Sequence, residues 1–322
     1  MGKVSFRPTS WEEYIGQEDL KNNLKITITA SQLENRAIDH ILLSGPAGVG
    51  KTSLAYLIGV VLKTKTHILH GPNLQKPSDL ICVLTLLKDF EVVFIDEIHA
   101  ISKEVSELLY PVLEDNTLNL IIGKDYNSKN INITLPKFTL IGATTNLYHL
   151  SHPLIQRFPI NLTMSNYNLS DLQQIIFNCA AQQAIRLGMP EAYFIAQHSR
   201  FNPRIAINLF KRIYDYALTT GSKIITIALI KVVFKNLQIY LGGISKLEIN
   251  YLWIINNTFS NKPTGIELIA QVLNEPVLNI TNSVEPLLLK LGFLQKTNRG
   301  RVITTKGQEF LQKINFKKFE NS

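Results

Sequence analysis

The stretch GPAGVGKT (residues 45–52) decides the fold of this 322-residue chain. It follows the short apolar run Ile41–Ser44 and precedes residues 52–62, whose apolar positions have helical spacing. A glycine-rich turn between a strand and a helix is the setting of a phosphate-binding loop, because glycines let backbone amides face the phosphates. The lysine would reach the β- and γ-phosphates, and the threonine would offer its hydroxyl to Mg²⁺. We therefore expect ATP contacts from Gly45, Gly48, Gly50, Lys51, Thr52 and Ser53.

A second motif, DEIH, follows the apolar run at residues 92–95. It places two carboxylates at the carboxyl edge of the predicted sheet, where such folds bind their ligands. Asp96 should join the Mg²⁺ shell, and Glu97 should orient or deprotonate the attacking water. Taken alone, the acidic pair could cap a helix, but the phosphate-binding loop upstream favours ATP hydrolysis. His99 has no partner that the sequence can name, and we expect it to be structural.

The order of the elements predicts three domains. Alternating strands and helices in the first half indicate an α/β fold with a parallel sheet covered on both faces. Two β-like runs at residues 121–135 surround a polar stretch and predict a projecting hairpin. Helical patterns at residues 169–187, 191–198 and 203–219 predict a small helical lid. Gly242 and Gly243 mark a boundary. The predicted domains are residues 1–168, 169–241 and 242–322.

The last segment has the pattern of a winged helix. Helical patterns at residues 247–259, 265–273 and 281–291 precede two β-like runs, which a turn around Arg299 joins. From Pro286 to Lys318 there are eight basic residues and one acid, Glu309, within a chain of net charge +8. This excess indicates a surface for phosphate backbone, with a solvated basic face as the alternative.

Composition limits the remaining possibilities. Apolar residues make up 45% of the chain and charged residues 18%, which is typical of an ordered globular protein. No apolar run is long enough to cross a bilayer and the N-terminus lacks a signal-peptide pattern, so we expect a cytoplasmic protein. Cys82 and Cys179 lie among apolar neighbours and are predicted to be buried thiols, with neither a disulfide nor a metal site expected.

Longer stretches of the sequence resemble the RuvB family of AAA+ ATPases almost from end to end. They are FRPTSWEEYIGQE from Phe6, HGPNLQKPSDL from His70, FIDEIHAISKEVSELLYPVLED from Phe94 and FTLIGATTN from Phe138. The resemblance implies a hexameric ring that uses ATP and Mg²⁺ to drive branch migration of Holliday junctions. It further implies a place in recombination, DNA repair and the SOS response, with RuvA-type and RuvC-type partners.

The resemblance also implies roles for individual residues. Thr145 matches sensor 1, and Arg157 in SHPLIQRF matches an arginine that reaches the neighbouring subunit's nucleotide, although Ile155 replaces a second family arginine. Arg204 matches sensor 2, where Phe201 and Asn202 replace the usual glycine and threonine. Further nucleotide contacts are implied for Phe6, Arg7, Glu114, Asp115, Asn116 and Tyr167. The stretch GFLQKTNRGRVIT resembles the family's DNA-contacting wing and implies DNA contacts for Lys296, Arg299 and Arg301.

Three questions stay open at this point. The apolar residues Ile121, Ile122, Ile131 and Ile133 of the hairpin are either exposed for a RuvA-type partner or simply strand core. A clamp-loader-like or initiator-like ATP switch shares the same ATP motifs, but loaders generally end in a helical collar rather than a basic hairpin. A winged-helix regulator without catalysis would leave Asp96 and Glu97 without a purpose.

Overall fold

The computed structural model describes residues 6–122 and 129–314, without the side chains of residues 121, 122, 129 and 130. It divides into two compact units. The first comprises Met1–Asp171 and Asn202–Arg204, and the second comprises Leu172–Phe201 and Ile205–Ser322.

The first unit is built on a five-stranded parallel sheet. Its strands, numbered along the chain together with a separate hairpin, are β1 (Ile41–Ser44), β2 (Thr66–His70), β3 (Val92–Asp96), the hairpin strands β4 (Thr117–Ile122) and β5 (Lys129–Thr134), β6 (Thr139–Thr144) and β7 (Ile160–Thr163). The sheet order is β2-β3-β6-β1-β7. Every residue of β1 and β6 is buried, as expected for central strands covered on both faces. The predicted α/β class is confirmed.

The helices of this unit are α1 (Glu18–Leu33), α2 (Lys51–Leu62), α3 (Pro77–Leu84), α4 (Lys103–Asp115), α5 (His152–Gln156) and the first turn of α6 (Leu169–Gln182). Local chemistry sets their starts. Ser102 accepts a hydrogen bond from the backbone N–H of Val105 and so caps α4. Asp79 accepts from the backbone N–H of Lys76 at the start of α3.

The hairpin begins earlier than its sequence pattern suggested. β4 and β5 pair antiparallel from Thr117 opposite Thr134 to Ile122 opposite Lys129. Ile133 packs against the core of this unit, whereas Ile131 is 40% exposed. The side chains of Ile121 and Ile122 and most of the predicted polar turn lie outside the described residues. The two described isoleucines, Ile131 and Ile133, are therefore divided between surface and core.

The second unit contains β8 (Arg186–Leu187), α7 (Met189–Ala196), β9 (Ile224–Ile225) and α9 (Ile227–Asn236), together with most of α6 and most of α8 (Pro203–Thr219). A helix through residue 187 was predicted, and that prediction is wrong. α6 ends at Gln182, Ala184 adopts a left-handed conformation, and β8 pairs in parallel with β9. The pairing partner of β8 lies almost forty residues downstream, and this pairing overrides the helical spacing of the apolar residues. Local sequence cannot reveal a partner so far along the chain.

The same unit ends in the predicted winged helix. α10 (Lys246–Trp253) runs into a π-helical turn at Ile254–Thr258, and α11 (Ile266–Leu273) follows. α12 (Val277–Asn279), a second π-helical turn and α13 (Glu285–Lys290) then form one helical stretch. β10 (Leu294–Thr297) and β11 (Gly300–Ile303) make the hairpin. A short α14 (Thr305–Lys313), which the sequence pattern did not predict, packs Phe310 onto Phe293.

The two cysteines differ in environment. Cys179 is buried on α6, and burial raises the pKa of its thiol to about 12. Cys82 was predicted to be buried and is exposed, because it lies on the outer face of α3 while Leu80 and Leu84 face the core. Among the described helices, none combines the length and apolarity that crossing a bilayer requires.

Candidate nucleotide-binding and hydrolysis site

The sheet order brings three predicted motifs to one edge. β6 lies between β1 and β3, so the carboxyl ends of these strands are neighbours. Ser44, the last residue of β1, is paired with Thr144, the last residue of β6. Asp96 ends β3. The glycine-rich loop, the DEIH motif and the GATT motif therefore emerge side by side, where ligands of parallel sheets bind.

The glycine-rich loop has a backbone that needs its glycines. Gly45, Gly48 and Gly50 have φ angles of 143°, 81° and 102°. A Cβ atom at Gly48 would lie 2.7 Å from Oδ1 of Asn202. These positive φ values disfavour any residue with a side chain and leave backbone amides free to curl around an anion.

Lys51 is buried within this loop and is 6% exposed. Its Nζ donates to the carbonyl oxygens of Gly45 at 2.7 Å and Pro46 at 3.0 Å. Burial lowers the pKa of Lys51, while the carboxylates of Glu97 and Asp96 oppose that shift. The N–H groups of Lys51 thus hold its ammonium group at the loop. The same N–H groups can donate to phosphate oxygens instead.

The predicted sensor 2 segment lies against the same loop. Asn202 donates from Nδ2 to the carbonyl oxygen of Ala47 at 2.7 Å, and its Oδ1 accepts from the backbone N–H of Arg204 at 3.0 Å. Arg204 is exposed, and its charge contributes to lowering the pKa of Lys51. Asn202, which departs from the family pattern, is therefore the residue that ties Arg204 to the loop.

A threonine hydroxyl and an aspartate carboxylate meet beside the phosphate-binding loop. Thr52 Oγ1 donates to Asp96 Oδ2 at 2.9 Å, and the backbone N–H of Glu97 donates to Asp96 Oδ1 at 3.1 Å. Mg²⁺ prefers hard oxygen ligands and usually takes one or two protein oxygens, with phosphates and water completing its shell. A hydroxyl and a carboxylate at hydrogen-bonding distance beside the phosphate loop fit that requirement. Ser53 follows on α2 and is partly buried.

Glu97 is oriented by a polar chain at the edge of the sheet. Thr145 Oγ1 donates to Glu97 Oε2 at 3.0 Å, and His99 Nδ1 lies 3.3 Å from the same oxygen. His99 Nδ1 is also 2.9 Å from the hydroxyl oxygen of buried Thr144. The structure thus brings Thr145 to Glu97 and gives His99 two partners that the sequence could not name.

The backbone of Glu97 is unusual as well. Its φ of 52° lies in the left-handed region, which costs free energy for a residue with a side chain. Gly71, which follows β2, packs directly under it, and a Cβ atom there would collide with the carbonyl oxygen of Glu97. The glycine of the HGPN stretch therefore makes room for the conformation of Glu97.

Two buried tyrosines approach the loop near Gly50. A Cβ atom at Gly50 would lie 3.3 Å from the hydroxyl oxygen of Tyr14 and 3.7 Å from that of Tyr167. Burial raises the pKa of Tyr167 to about 12 and that of Tyr14 well above its ordinary value. Tyr167 was predicted as a nucleotide contact, and Tyr14 was not singled out although it lies in the YIGQ element.

The predicted contact residue Arg7 places its guanidinium 5.7 Å from the ring centre of Tyr56 on α2, and Phe6 is partly buried.

Arg157 and Glu114 form a second group in this unit. Arg157 donates from Nε at 3.1 Å and from Nη2 at 2.8 Å to Glu114 Oε2, and its guanidinium lies 4.7 Å from the ring centre of Tyr110. Among the described residues, neither Arg157 nor Glu114 bonds to the loop of residues 45–52. Asp115 is exposed, and Asn116 ends α4 in a left-handed conformation. The structure thus places the predicted acidic stretch beside the predicted trans-acting arginine.

In the second unit, the predicted DNA contacts lie on the hairpin. Lys296 on β10 is opposite Arg301 on β11. Both pair with Glu285, and Arg301 is only 19% exposed. Arg299 is exposed at the turn, where its backbone N–H donates to Thr297 Oγ1. Lys290 lies 3.9 Å over the ring centre of Phe201, and Lys317 and Lys318 are outside the described residues.

Comparisons with known proteins show which family the chain is similar to. Three family models match consecutive parts of the chain: the Holliday junction DNA helicase RuvB P-loop domain at residues 6–164, the RuvB AAA lid domain at residues 167–240 and the RuvB C-terminal winged helix domain at residues 241–312. Together they span nearly the whole chain.

Individual relatives are similar over nearly their full length. The Holliday junction branch migration complex subunit RuvB of Mycoplasma genitalium is 40% identical over 309 residues, which are 96% of this chain and 98% of that protein. The Fusobacterium nucleatum subunit of the same name is 41% identical, over 97% of this chain and 94% of that one. The solved Thermotoga maritima RuvB Holliday junction branch migration motor is 36% identical and superposes with a TM-score of 0.80, covering 95% of this chain and 98% of that one.

Proposed function

This chain belongs to the RuvB family, and from that premise we propose that it is an ATP-hydrolysing motor that drives branch migration of Holliday junctions. The observation that carries the proposal is the group at the sheet edge, where Thr52, Asp96, Glu97 and Thr145 are joined by hydrogen bonds beside the phosphate-binding loop. A regulator without catalysis has no use for such a group.

We propose that the triphosphate lies in the glycine-rich loop with Lys51 at its β- and γ-phosphates. On binding, Lys51 exchanges its bonds to Gly45 and Pro46 for stronger bonds to charged phosphate oxygens. Glu97 then orients or deprotonates the attacking water, and Thr145 fixes the direction of its carboxylate. Arg204, beside the loop, adds positive charge near the γ-phosphate. Ser53, Phe6, Arg7, Tyr167 and the acidic stretch Glu114, Asp115 and Asn116 complete the proposed nucleotide contacts.

Mg²⁺ is the proposed metal cofactor, and Thr52 and Asp96 would hold it. When bound, it neutralises charge that develops on the phosphates during transfer. The Thr52–Asp96 hydrogen bond keeps both oxygens in place before the metal arrives. Thr52 bonds to Asp96 rather than to Glu97, so the proposed role of the Glu97 carboxylate is to act on the attacking water.

We further propose a hexameric ring in which Arg157 reaches the nucleotide of a neighbouring subunit. Glu114 and Tyr110 hold the guanidinium in one orientation, which lowers the entropy cost of presenting it. An arginine supplied in this way makes hydrolysis depend on assembly. Ile155 packs against the core cluster of the first unit, so it supplies apolar contact where the family usually has a second arginine. A RuvA-type protein and a RuvC-type resolvase are the proposed partners, with Ile131 on the hairpin available to the first.

The proposed division of the chain is an ATPase domain at residues 1–168, a lid at 169–241 and a winged-helix DNA-binding domain at 242–322. The wing residues Lys296, Arg299 and Arg301 would contact phosphates, so binding should depend steeply on salt and little on sequence.

A four-way-junction assay tests the proposal. Purified protein is given a synthetic junction, ATP and Mg²⁺, with and without a RuvA-type partner, and the conversion to duplex products is measured. We expect conversion by the natural chain, none by Lys51→Ala or Glu97→Gln, and normal conversion by the matched control Glu107→Gln, whose carboxylate is exposed on α4. Nucleotide binding should survive Glu97→Gln. Normal junction movement by Glu97→Gln would contradict the catalytic assignment.

The same assay separates the clamp-loader-like or initiator-like alternative. Such a switch would hydrolyse ATP in a DNA-dependent manner but move no junction with or without the partner. The winged helix at the carboxyl end favours the motor, because loaders generally end in a helical collar.

A further inference from the structure

A buried carboxylate lies behind the two cations of the wing. Glu285, the first residue of α13, has a fully buried side chain. Lys296 Nζ lies 2.6 Å from its Oε2, and Arg301 Nε donates to its Oε1 at 2.8 Å. The buried hydroxyl of Tyr251 donates to the same Oε1, also at 2.8 Å. Two basic side chains from the hairpin thus converge on one acid from the helix behind it.

The hairpin alone would not keep these cations together. Lys296 and Arg301 are direct cross-strand partners, and like charges in that relation repel each other. A carboxylate between them turns the repulsion into two attractive contacts. Burial, the largest single effect, disfavours charge on Glu285, but the hydrogen bonds from Arg301, Lys296 and Tyr251 together lower its pKa below the ordinary value. Glu285 therefore stays ionised beside its partners.

The backbone around Arg301 is fixed as well. Its N–H donates to the carbonyl oxygen of Thr264 at 2.8 Å, and its own carbonyl accepts from the N–H of Thr264 at 3.1 Å. Two residues further, Asn261 forms paired hydrogen bonds with the backbone of Ile303. With both strand and side chain held, Arg301 has one preferred position.

Lys296 and Arg301 both keep N–H donors that do not bond to Glu285. Lys296 is 45% exposed, and its ammonium group has three N–H donors. The guanidinium of Arg301 has five N–H donors, and the bond to Glu285 uses the one on Nε. The group of three side chains keeps a net charge of +1 and has donors left for a second anion.

We propose that Glu285 is a positioning residue for DNA contact, whose buried carboxylate holds Lys296 and Arg301 side by side so that both meet the phosphate backbone at once. This inference rests on the proposed function, because it takes the wing as the DNA-contacting surface. Glu285 itself touches no phosphate, and it acts through the two cations.

The variant Glu285→Gln distinguishes an effect of positioning on DNA affinity from an effect of net charge. The substitution keeps the size of the side chain and raises the net charge by one, so charge alone predicts tighter DNA binding. Positioning predicts the opposite, a roughly tenfold loss of affinity for duplex DNA and a salt dependence shallower by about 1 to 2 in log–log slope. The matched control is Glu309→Gln, an exposed acid on α14 of the same domain, which also adds one net positive charge and should not weaken binding.

Binding is measured by fluorescence anisotropy of a labelled duplex over a series of salt concentrations, with thermal unfolding checked for each variant. In a chain that already carries Lys296→Ala and Arg301→Ala, Glu285→Gln should cause no further loss, since it acts through those residues. If Glu285→Gln does not fold, Tyr251→Phe takes its place, because it removes one donor to the carboxylate without changing charge. That variant should weaken binding about twofold to threefold.

The outcomes are distinguishable. A natural chain that binds no duplex overturns the proposed function and this inference with it. A natural chain that binds duplex while Glu285→Gln, or Tyr251→Phe in its place, binds as well or better overturns the inference alone. A further loss in the Lys296→Ala, Arg301→Ala background also overturns it, because Glu285 would then act by another route.

Discussion

The hydroxyl of Thr145 donates to Oε2 of Glu97 across 3.0 Å, although the two residues follow the ends of two neighbouring strands, β6 and β3, and are 48 positions apart in the chain. His99, two residues after Glu97 in the DEIH motif, places its Nδ1 3.3 Å from the same carboxylate oxygen. These two contacts therefore set the direction of the Glu97 carboxylate.

Thr145→Val should lower kcat for ATP hydrolysis by about a hundredfold with little change in KM, because the carboxylate loses the donor that orients it toward water. Thr145→Ser keeps the hydroxyl and should retain most of the activity. Steady-state ATPase kinetics of the two variants check this. Equal loss in Val and Ser variants would point to packing rather than to the hydrogen bond.

Mixed rings test whether Arg157 acts on a neighbouring subunit. Glu97→Gln and Arg157→Ala should each be inactive alone, the second because removing such an arginine costs about a thousandfold or more in rate. An equimolar mixture should regain ATPase activity, since about a quarter of the interfaces would pair an intact Glu97 with an intact Arg157. A mixture as inactive as its components would show that Arg157 does not complement in trans.

Gly71→Ala should slow hydrolysis by about a hundredfold while leaving ATP binding within a few-fold of normal. The added methyl group collides with the backbone carbonyl of Glu97 and displaces that residue from its left-handed conformation. Gly265→Ala is the matched control, because a Cβ atom there meets only ordinary contacts. Nucleotide affinity and single-turnover rates separate the two effects, and an unchanged rate would contradict the role given to Gly71.

His40 should make the free energy of unfolding depend on pH. Burial lowers its pKa to about 4, and its Nδ1 accepts a hydrogen bond from the backbone N–H of Leu140 at 2.9 Å. In the unfolded chain His40 binds a proton near pH 6.5, whereas in the folded chain it does so only near pH 4. The contribution of neutral, buried His40 to the free energy of unfolding is therefore complete above about pH 6.5 and is lost as the pH falls toward 4. The expected loss between pH 7 and pH 5 is about 2 kcal/mol in the free energy of unfolding.

Chemical denaturation at the two pH values measures that loss. His40→Asn places an amide oxygen near the position of Nδ1 and cannot titrate, so its difference between pH 7 and pH 5 should be smaller. His149→Asn, which removes an exposed histidine, should behave like the natural chain. Identical pH dependence in His40→Asn would assign the acid sensitivity to other groups.

Local motifs account for what the sequence could predict. The glycine-rich loop and the DEIH motif each carry their chemistry within a few residues, and their adjacent strands follow from the parallel sheet. The partners of His99 were not predictable, because Thr144 reaches it through the register of β6 in the sheet. Asn202 looked like a departure from the family pattern, and its bond to Ala47 depends on a fold that brings residues 155 positions apart together.

The second unit shows the same limit. The basic hairpin was read correctly from its charges and turn, but the acid that organises it was not, since Glu285 lies on the preceding helix. The short strand β8 was missed because its only support is pairing with β9. In each case the missing information is a contact made between distant parts of the chain.

Cys82 and Cys179 are the two thiols of the chain, and their different surroundings make the protein selectively reactive. A maleimide dye needs a thiol that it can reach, and Cys82 is exposed, whereas Cys179 is buried and burial raises the pKa of its thiol. The native protein should therefore accept a single label, on α3, without any engineered cysteine.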